Sequence, residues 1–152
     1  SENYCLAKNV AEYVLKKGIN DVSNLKLLPC RLEKYNNITL DGSHNISGII
    51  SLIKGEHFSD NVSILLSSTK ERNITRTYNL LKKVSKNIII TTIPNNDRSI
   101  THDDIKNIEC EFIEDYKKAF NKISENNNDV LVTGSFYLCS AIKKLLDGQS
   151  ND

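Results

Sequence analysis

VSILLSSTKERNITRTYNLLKKVSKNIIITTI, residues 62–93, opens and closes on apolar runs and carries a helical stripe between them. Val62 to Leu66 is a compact run, apolar but for Ser63, the pattern of a strand covered on both faces. Asn87 to Ile93 is rich in β-branched residues and is the strongest strand in the chain. Ile74, Tyr78, Leu81 and Val84 recur at helical intervals, so residues 72–84 form a helix with one apolar face. Two strands joined by a helix make the unit of a parallel sheet.

The alternation continues outward on both sides. Upstream, Arg31 to Asp41 reads as two short strands around a turn at Asn36-Asn37. Asn45 to Lys54 reads as a helix with Ile46, Ile49, Ile50 and Ile53 on its apolar side. Downstream, Pro94 to Asp97 is a loop, residues 101–106 a short helix, and Cys110 to Ile113 a short strand. A helix carries Tyr116, Ala119, Phe120 and Ile123, and the polar run SENNND, residues 124–129, is a turn. Val130 to Val132 is the last strand. Residues 136–146 form a helix buried through Cys139, Ile142, Leu145 and Leu146. The expected fold is α/β: a Rossmann-like, mostly parallel sheet with helices on both faces and right-handed crossovers. Ahead of it, Leu6, Val10, Tyr13 and Val14 mark a helix over residues 2–17. Gly18 ends that helix, and a polar connector reaches a boundary near Pro29.

The chain has 152 residues, enough for one domain. Hydrophobic residues make up 39% and charged residues 26%, which permits a core and argues against disorder. Lysine and arginine number 20 against 19 acidic residues, a formal charge of +1. Nucleic-acid and polybasic membrane binders rest on a surplus of cations, so neither partner is expected. No apolar run approaches the length of a membrane span, and SENYCLAKNV lacks the features of a signal peptide. Cysteines at 5, 30, 110 and 139 form no C-x-x-C and have no histidine at zinc-ligand spacing. Reduced, mostly buried thiols in a cytoplasmic protein, with no metal site, are expected. The sequons at Asn37, Asn45, Asn61 and Asn73 are what an Asn-rich chain gives by accident.

In open parallel sheets ligands bind at the carboxyl ends of the strands. Three such ends carry chemistry. Leu40 leads into Asp41-Gly42-Ser43-His44-Asn45, Leu66 into Ser67-Ser68-Thr69-Lys70, and Val132 into Thr133-Gly134-Ser135. Asp41 can accept from ribose hydroxyls, and equally can cap the helix behind it. His44 is a site residue or a surface loop residue. Arg31, one of four arginines beside sixteen lysines, can hold phosphate oxygens through two parallel bonds, or pair with Glu33. Ser135 can bond a carboxylate or cap the last helix. Lys70 is an anion contact or a solvent-facing lysine. Spacing alone favours the plainer role in most of these pairs. There is no G-x-x-x-x-G-K-[ST], G-x-G-x-x-G or G-x-S-x-G, so phosphate chemistry would need residues from outside this chain.

Leu28-Pro29-Cys30-Arg31-Leu32-Glu33, Leu40-Asp41-Gly42-Ser43-His44-Asn45 and Val132-Thr133-Gly134-Ser135-Phe136-Tyr137-Leu138 together resemble the C-terminal part of folylpolyglutamate synthase/dihydrofolate synthase. The family motifs read roughly G-R-[LF]-[EQ], D-x-A-H-N and x-x-G-S-[LF]-x. Order and spacing match over about residues 29–146, and Ser67 to Glu71 is similar to the loop after the next strand. Cys30 stands where the family usually has Gly, and Ser43 where Ala is common. The wider group is the ATP-dependent Mur-type amino-acid ligases. The resemblance implies that residues 29–150 are such a C-terminal domain. Residues 1–28 would then be a remnant of the central domain, its last helix and linker, and the chain a fragment or excised domain.

The implied activity joins L-glutamate to a folate or dihydropteroate carboxylate through an acyl phosphate. ATP is consumed, and Mg²⁺ is held mainly by domains absent from this chain. Arg31 would contact ATP phosphates and Asp41 the ribose. His44, as the catalytic candidate, and Asn45 would line the cleft shared with the central domain. Ser135 and Lys70 would hold the incoming glutamate. A monomer packed against a missing ATPase domain, inactive alone, is expected. The alternatives are a muramoyl-peptide ligase domain, which D-G-S-H-N disfavours, and a Rossmann-like nucleotide-binding module without catalysis.

Overall fold

A computed structural model of the chain describes Tyr13 and residues 28–55, 58–59, 61–126 and 128–149. The helix expected over residues 2–17, its Gly18 stop, Cys5 and His57 lie outside the described residues, apart from Tyr13, which is helical and exposed.

The strands are β1 (Glu33–Tyr35), β2 (Ile38–Leu40), β3 (Ser63–Leu66), β4 (Asn87–Thr91), β5 (Glu111–Ile113) and β6 (Val130–Thr133). The helices are α1 (Ile46–Gly55), α2 (Ile74–Leu81), α3 (Tyr116–Ser124) and α4 (Phe136–Gln149), with a 3₁₀ turn over His102–Ile105. One sheet carries the strands in the order β1-β2-β6-β3-β4-β5. β1 pairs antiparallel with β2, and every other pairing is parallel. β6 lies between β2 and β3, with Leu40 opposite Val132 and Leu66 opposite Thr133.

The continuous apolar runs are explained by burial on both faces. Ile64, Leu66, Ile88, Ile90 and Leu131 face one core, with Ile49 and Leu52 of α1 and Ile74, Tyr78 and Leu81 of α2. Leu65, Ile89, Val130 and Val132 face the other, with Ala119, Phe120 and Ile123 of α3 and Leu138, Cys139 and Ile142 of α4. Neighbouring residues of one strand thus enter different cores, as a side-chain period of two requires. Each fully buried Leu or Ile contributes about 1.5–3 kcal/mol. The β2→β3 and β3→β4 crossovers step one way along the sheet and put α1 and α2 on one face. The β5→β6 crossover steps back and puts α3 on the other, as a single handedness demands.

Differences from the sequence reading are local. α1 buries Ile49 and Leu52, while Ile46, Ile50 and Ile53 are only partly covered. α2 starts at an Asn73 cap whose Oδ1 accepts from Arg76 N at 2.9 Å, and its end tightens as Lys83 N donates to Leu80 O. β4 stops at Thr91 because the Ile93 amide donates to Ser99 Oγ at 2.7 Å instead of to a strand. In α4 Leu138 is fully buried along with Cys139 and Ile142, while Leu145 is partly covered. Among the described residues no helix is long and apolar enough to cross a membrane.

Candidate functional site

The carboxyl ends of β2, β6, β3 and β4 are neighbours along one edge of the sheet. Ser43 O accepts from Gly134 N at 2.9 Å, which ties the loop after β2 to the turn after β6. Ser67 N donates to Thr133 O, and Ile100 N to Ser68 O at 3.1 Å, so the loops after β3 and β4 join the same rim.

Arg31 sits on a turn held from three directions. Cys30 and Leu32, on either side of it, both have left-handed backbones, with φ of 56° and 50°. Such conformations cost non-glycine residues on the order of 1–3 kcal/mol and persist only where the surroundings enforce them. Here Asp41 Oδ2 accepts from Leu32 N at 3.2 Å, Glu33 Oε2 from Cys30 N at 2.9 Å, and Cys30 O from Gly42 N at 2.7 Å.

The structure therefore brings Arg31 and Asp41 together. Asp41 is 4% exposed, and its other oxygen accepts from Ser43 N at 2.9 Å. Its carboxylate organises the rim from within, and a ligand hydroxyl would meet only its remaining lone pairs. Arg31 is exposed and makes no ion pair among the described residues. The Glu33 partnership open to it in the sequence is taken by Lys143, whose Nζ donates to Glu33 Oε1 and, at 2.8 Å, to Tyr35 Oη.

That network makes the turn sensitive to pH. Partial burial pushes the Glu33 carboxyl up, but the Cys30 amide, the Lys143 ammonium and the Tyr35 hydroxyl outweigh it and hold the carboxyl below the usual range. The Glu33 carboxylate, followed by Tyr35, pushes the Lys143 ammonium up. The Glu33 contribution to stability is thus present above its unfolded value, near 4.5, and is lost as pH falls through its lower folded value. The Lys143 contribution is present below 10.5 and is lost as pH rises through its higher folded value. Denaturant titrations of wild type and Glu33→Gln should therefore converge in midpoint as pH is taken from 7 to about 3. A constant gap would mean that the ion pair contributes nothing.

His44 and Ser135 share a cleft of about 500 Å³. One wall is His44, Gly134, Ser135, Phe136 and Tyr137, and the other is Thr69, Glu71, Arg72 and Arg98. Nδ1 of His44 donates to Gly42 O at 3.0 Å, since a carbonyl can only accept, and in the neutral ring Nε2 is then an acceptor. Ser135 is 4% exposed, and its Oγ accepts from Leu138 N at 3.3 Å, capping α4. The cap leaves the hydroxyl proton available, so capping and ligand binding are compatible. Asn45 caps α1: its Oδ1 accepts from Gly48 N at 2.7 Å and from Ser47 Oγ at 2.9 Å, leaving the amide NH₂ as its free group.

Lys70 lies outside the cleft walls. Its ammonium sits near Asp104, whose carboxyl is held below the usual range by the Thr101 amide and hydroxyl, with a further contribution from Lys70. The cleft cations are instead Arg72 and Arg98, which the sequence reading passed over. Arg98 Nη1 is 4.0 Å from Glu71 Oε1 and both side chains are well exposed, so the pair is loose and open to exchange for a ligand anion. The strand-end rule could have found Arg98, which follows β4 as Lys70 follows β3. Among the described residues no cluster of His, Cys, Asp or Glu could hold a metal ion.

The sequence matches no family model and no curated protein. Its fold, however, matches solved structures of folylpolyglutamate synthases. E. coli FolC in complex with ADP, without folate substrate, superimposes with a TM-score of 0.72 at 18% identity, over 83% of this chain and 33% of that one. The Yersinia pestis bifunctional folylpolyglutamate synthase/dihydrofolate synthase complexed with AMPPNP and Mn ion gives 0.69 at 16%, over 80% and 32%. The G51S mutant of L. casei FPGS gives 0.61 at 22%, over 80% and 28%. The chain shares the fold of part of each enzyme. It spans about a third of their length. The α/β architecture expected from the sequence is thereby found both in the sheet itself and in the company it keeps.

Proposed function

We propose that this chain is the C-terminal domain of an ATP-dependent carboxylate–amine ligase that adds L-glutamate to a folate or dihydropteroate. Residues 29–150 form that domain, and residues 1–28 are the remnant of a central domain. The observation that carries this reading is the rim: the turn bearing Arg31, which has no ion partner among the described residues, is bonded to Asp41 and Gly42 of the same loop whose His44 lines, with Ser135, the cleft at the strand ends. Enzymes of the same fold have been solved with ADP, and with Mn, AMPPNP and L-glutamate. This supports a nucleotide and an amino acid as the ligands.

In this reading the substrate carboxylate takes the terminal phosphoryl group of ATP and becomes an acyl phosphate. The amino group of glutamate then attacks the acyl carbon, and phosphate leaves from the tetrahedral intermediate. The work of the chain is positioning and charge neutralisation. Arg31 meets the phosphate oxygens. His44 Nε2, as an acceptor, is suited to receive a proton from the incoming amine. Ser135 donates to a glutamate carboxylate, with Arg98 and Arg72 as the cations of the opposite wall and Lys70 as a more distant positive charge. Asp41 and Asn45 act on the nucleotide side. Phe136 and Tyr137, 46% and 57% exposed, offer an apolar edge for the preceding domain to pack on. We assign Mg²⁺ mainly to the other domains of the whole protein, and no step is routed through it. A cytoplasmic monomer is the corresponding whole protein.

The test is phosphate release by the full-length protein. Turnover should require ATP, L-glutamate and a folate or dihydropteroate together, and Arg31→Ala should lower kcat/KM for ATP by on the order of 10²-fold. Unchanged kinetics in Arg31→Ala would remove Arg31 from the site. Absence of glutamate-dependent turnover with every folate and dihydropteroate would end the reading.

A further inference from the structure

The loops after β3 and β4 are fastened to each other through their backbones. Thr69 and Ser99 form an isolated antiparallel bridge. Lys70 N donates to Arg98 O at 2.8 Å, Ile100 N to Ser68 O at 3.1 Å, and Arg72 N to Thr69 O at 3.0 Å. On this fixed base stand three charged residues of the cleft wall, Glu71, Arg72 and Arg98. Their side chains are not fixed in the same way. Arg98 Nη1 and Glu71 Oε1 are 4.0 Å apart, too far for a direct hydrogen bond, and the two side chains are 64% and 55% exposed.

Glu71 is the unexpected charge. The facing wall of His44, Gly134, Ser135, Phe136 and Tyr137 carries no acid, and Glu71 is the one carboxylate among the described lining residues. Its own amide and the Thr69 hydroxyl, followed by Arg98 and Arg72, hold its carboxyl below the usual range, so it is ionised at neutral pH. A wall built only to attract anions would have no acid beside its two arginines. The position of this one, next to Arg98 without a tight bond to it, is that of a charge made to be displaced.

We infer that Glu71 is an internal stand-in for a ligand carboxylate: it accompanies Arg98 before ligand arrives and yields the guanidinium to a carboxylate of the incoming amino acid. That the ligand is L-glutamate rests on the ligase reading, whereas the exchange rests on the Glu71–Arg98 pair itself. The backbone bonds between the loops stay in place, and only two exposed side chains turn. Binding then replaces one ion pair by another, so the ligand gains less than the new contact alone would give. The ligand carboxylate also meets a like charge on the same wall. Both effects weaken binding, and both come from Glu71. Glu71 is therefore a specificity-determining residue that sets the affinity of the cleft for carboxylates without touching the reacting atoms.

The experiment titrates L-glutamate, and glutarate as a dicarboxylate without an amine, into the full-length protein by calorimetry. Glu71→Gln should bind both more tightly, by on the order of fivefold. In the Arg98→Ala background most of that gain should vanish, because the guanidinium the two carboxylates share is gone. Affinity should also fall more steeply with added salt in Glu71→Gln than in wild type, since the variant gains an ion pair on binding where wild type exchanges one. A loss of local structure would weaken binding instead, so the sign separates the two causes. Glu111→Gln, which removes the acid of the exposed pair with Lys122 away from the cleft walls, is the control and should leave affinity unchanged. Unchanged or weaker binding in Glu71→Gln overturns the inference, as does a gain that persists in full without Arg98, or no binding of either probe to any variant. Tighter binding in Glu71→Gln by a protein that shows no glutamate-dependent turnover supports the exchange and removes only the ligase reading.

Discussion

Replacing Gly134 by alanine is expected to destabilise the fold by about 3–5 kcal/mol, lowering Tm by on the order of 10 °C. Two independent penalties meet at this position. The backbone has φ of +89°, outside the region side chains tolerate. A Cβ built there lies 2.2 Å from the Ser67 carbonyl oxygen and 2.5 Å from Leu66 Cδ1. The oxygen belongs to the strand end beside β6 and cannot move without breaking the Ser67 N to Thr133 O bond that joins the two loops. The control is Gly148→Ala in α4, where nothing lies within 4 Å of the added carbon. It should be neutral or stabilising by up to about 1 kcal/mol. Urea titrations of both variants check the pair: opposite signs are expected, and an unperturbed midpoint in Gly134→Ala would contradict the close approach of β3 and β6.

The core was legible where burial on two faces leaves a continuous apolar run. Ile64, Leu65 and Leu66 divide between two clusters, and no polar residue could have stood among them. Helix faces were less legible, because α1 carries isoleucine or leucine on several sides. Its spacing could not show that Leu52, rather than Ile46 or Ile50, enters the core. At the site, Asp41, His44, Ser135 and Lys70 were all named by their places after strands, a rule that does not say which residue of a loop faces the cleft. The turn in which Arg72 N donates to Thr69 O puts Arg72 on the cleft wall, and Lys70 is not part of that wall. Capping and binding could not be separated in the sequence, since one side-chain oxygen can serve both; in the structure Ser135 Oγ caps α4.

Asp41→Ala should cost about 3–4 kcal/mol, and Asp41→Asn nearly as much. The carboxylate is buried and accepts from two backbone amides, Leu32 N and Ser43 N, one at each oxygen. Alanine leaves both donors without an acceptor, at about 1–3 kcal/mol each. Asparagine restores one acceptor but turns an NH₂ toward the second amide, donor against donor, so its isosteric shape gains little. Asn73→Ala, which removes an exposed cap of α2, should cost only about 1 kcal/mol and sets the scale. The same pair of bonds links stability to the proposed chemistry, because Leu32 follows Arg31 directly on the turn that Asp41 holds. If Asp41 acts by placing the guanidinium, ATP kinetics of Arg31→Ala, Asp41→Asn and the double variant in the full-length protein should be strongly non-additive, the double losing little beyond Arg31→Ala alone. If Asp41 instead acts on the nucleotide independently, the two losses should multiply. Because the carboxylate already serves two amides from inside the rim, the non-additive result is the one expected.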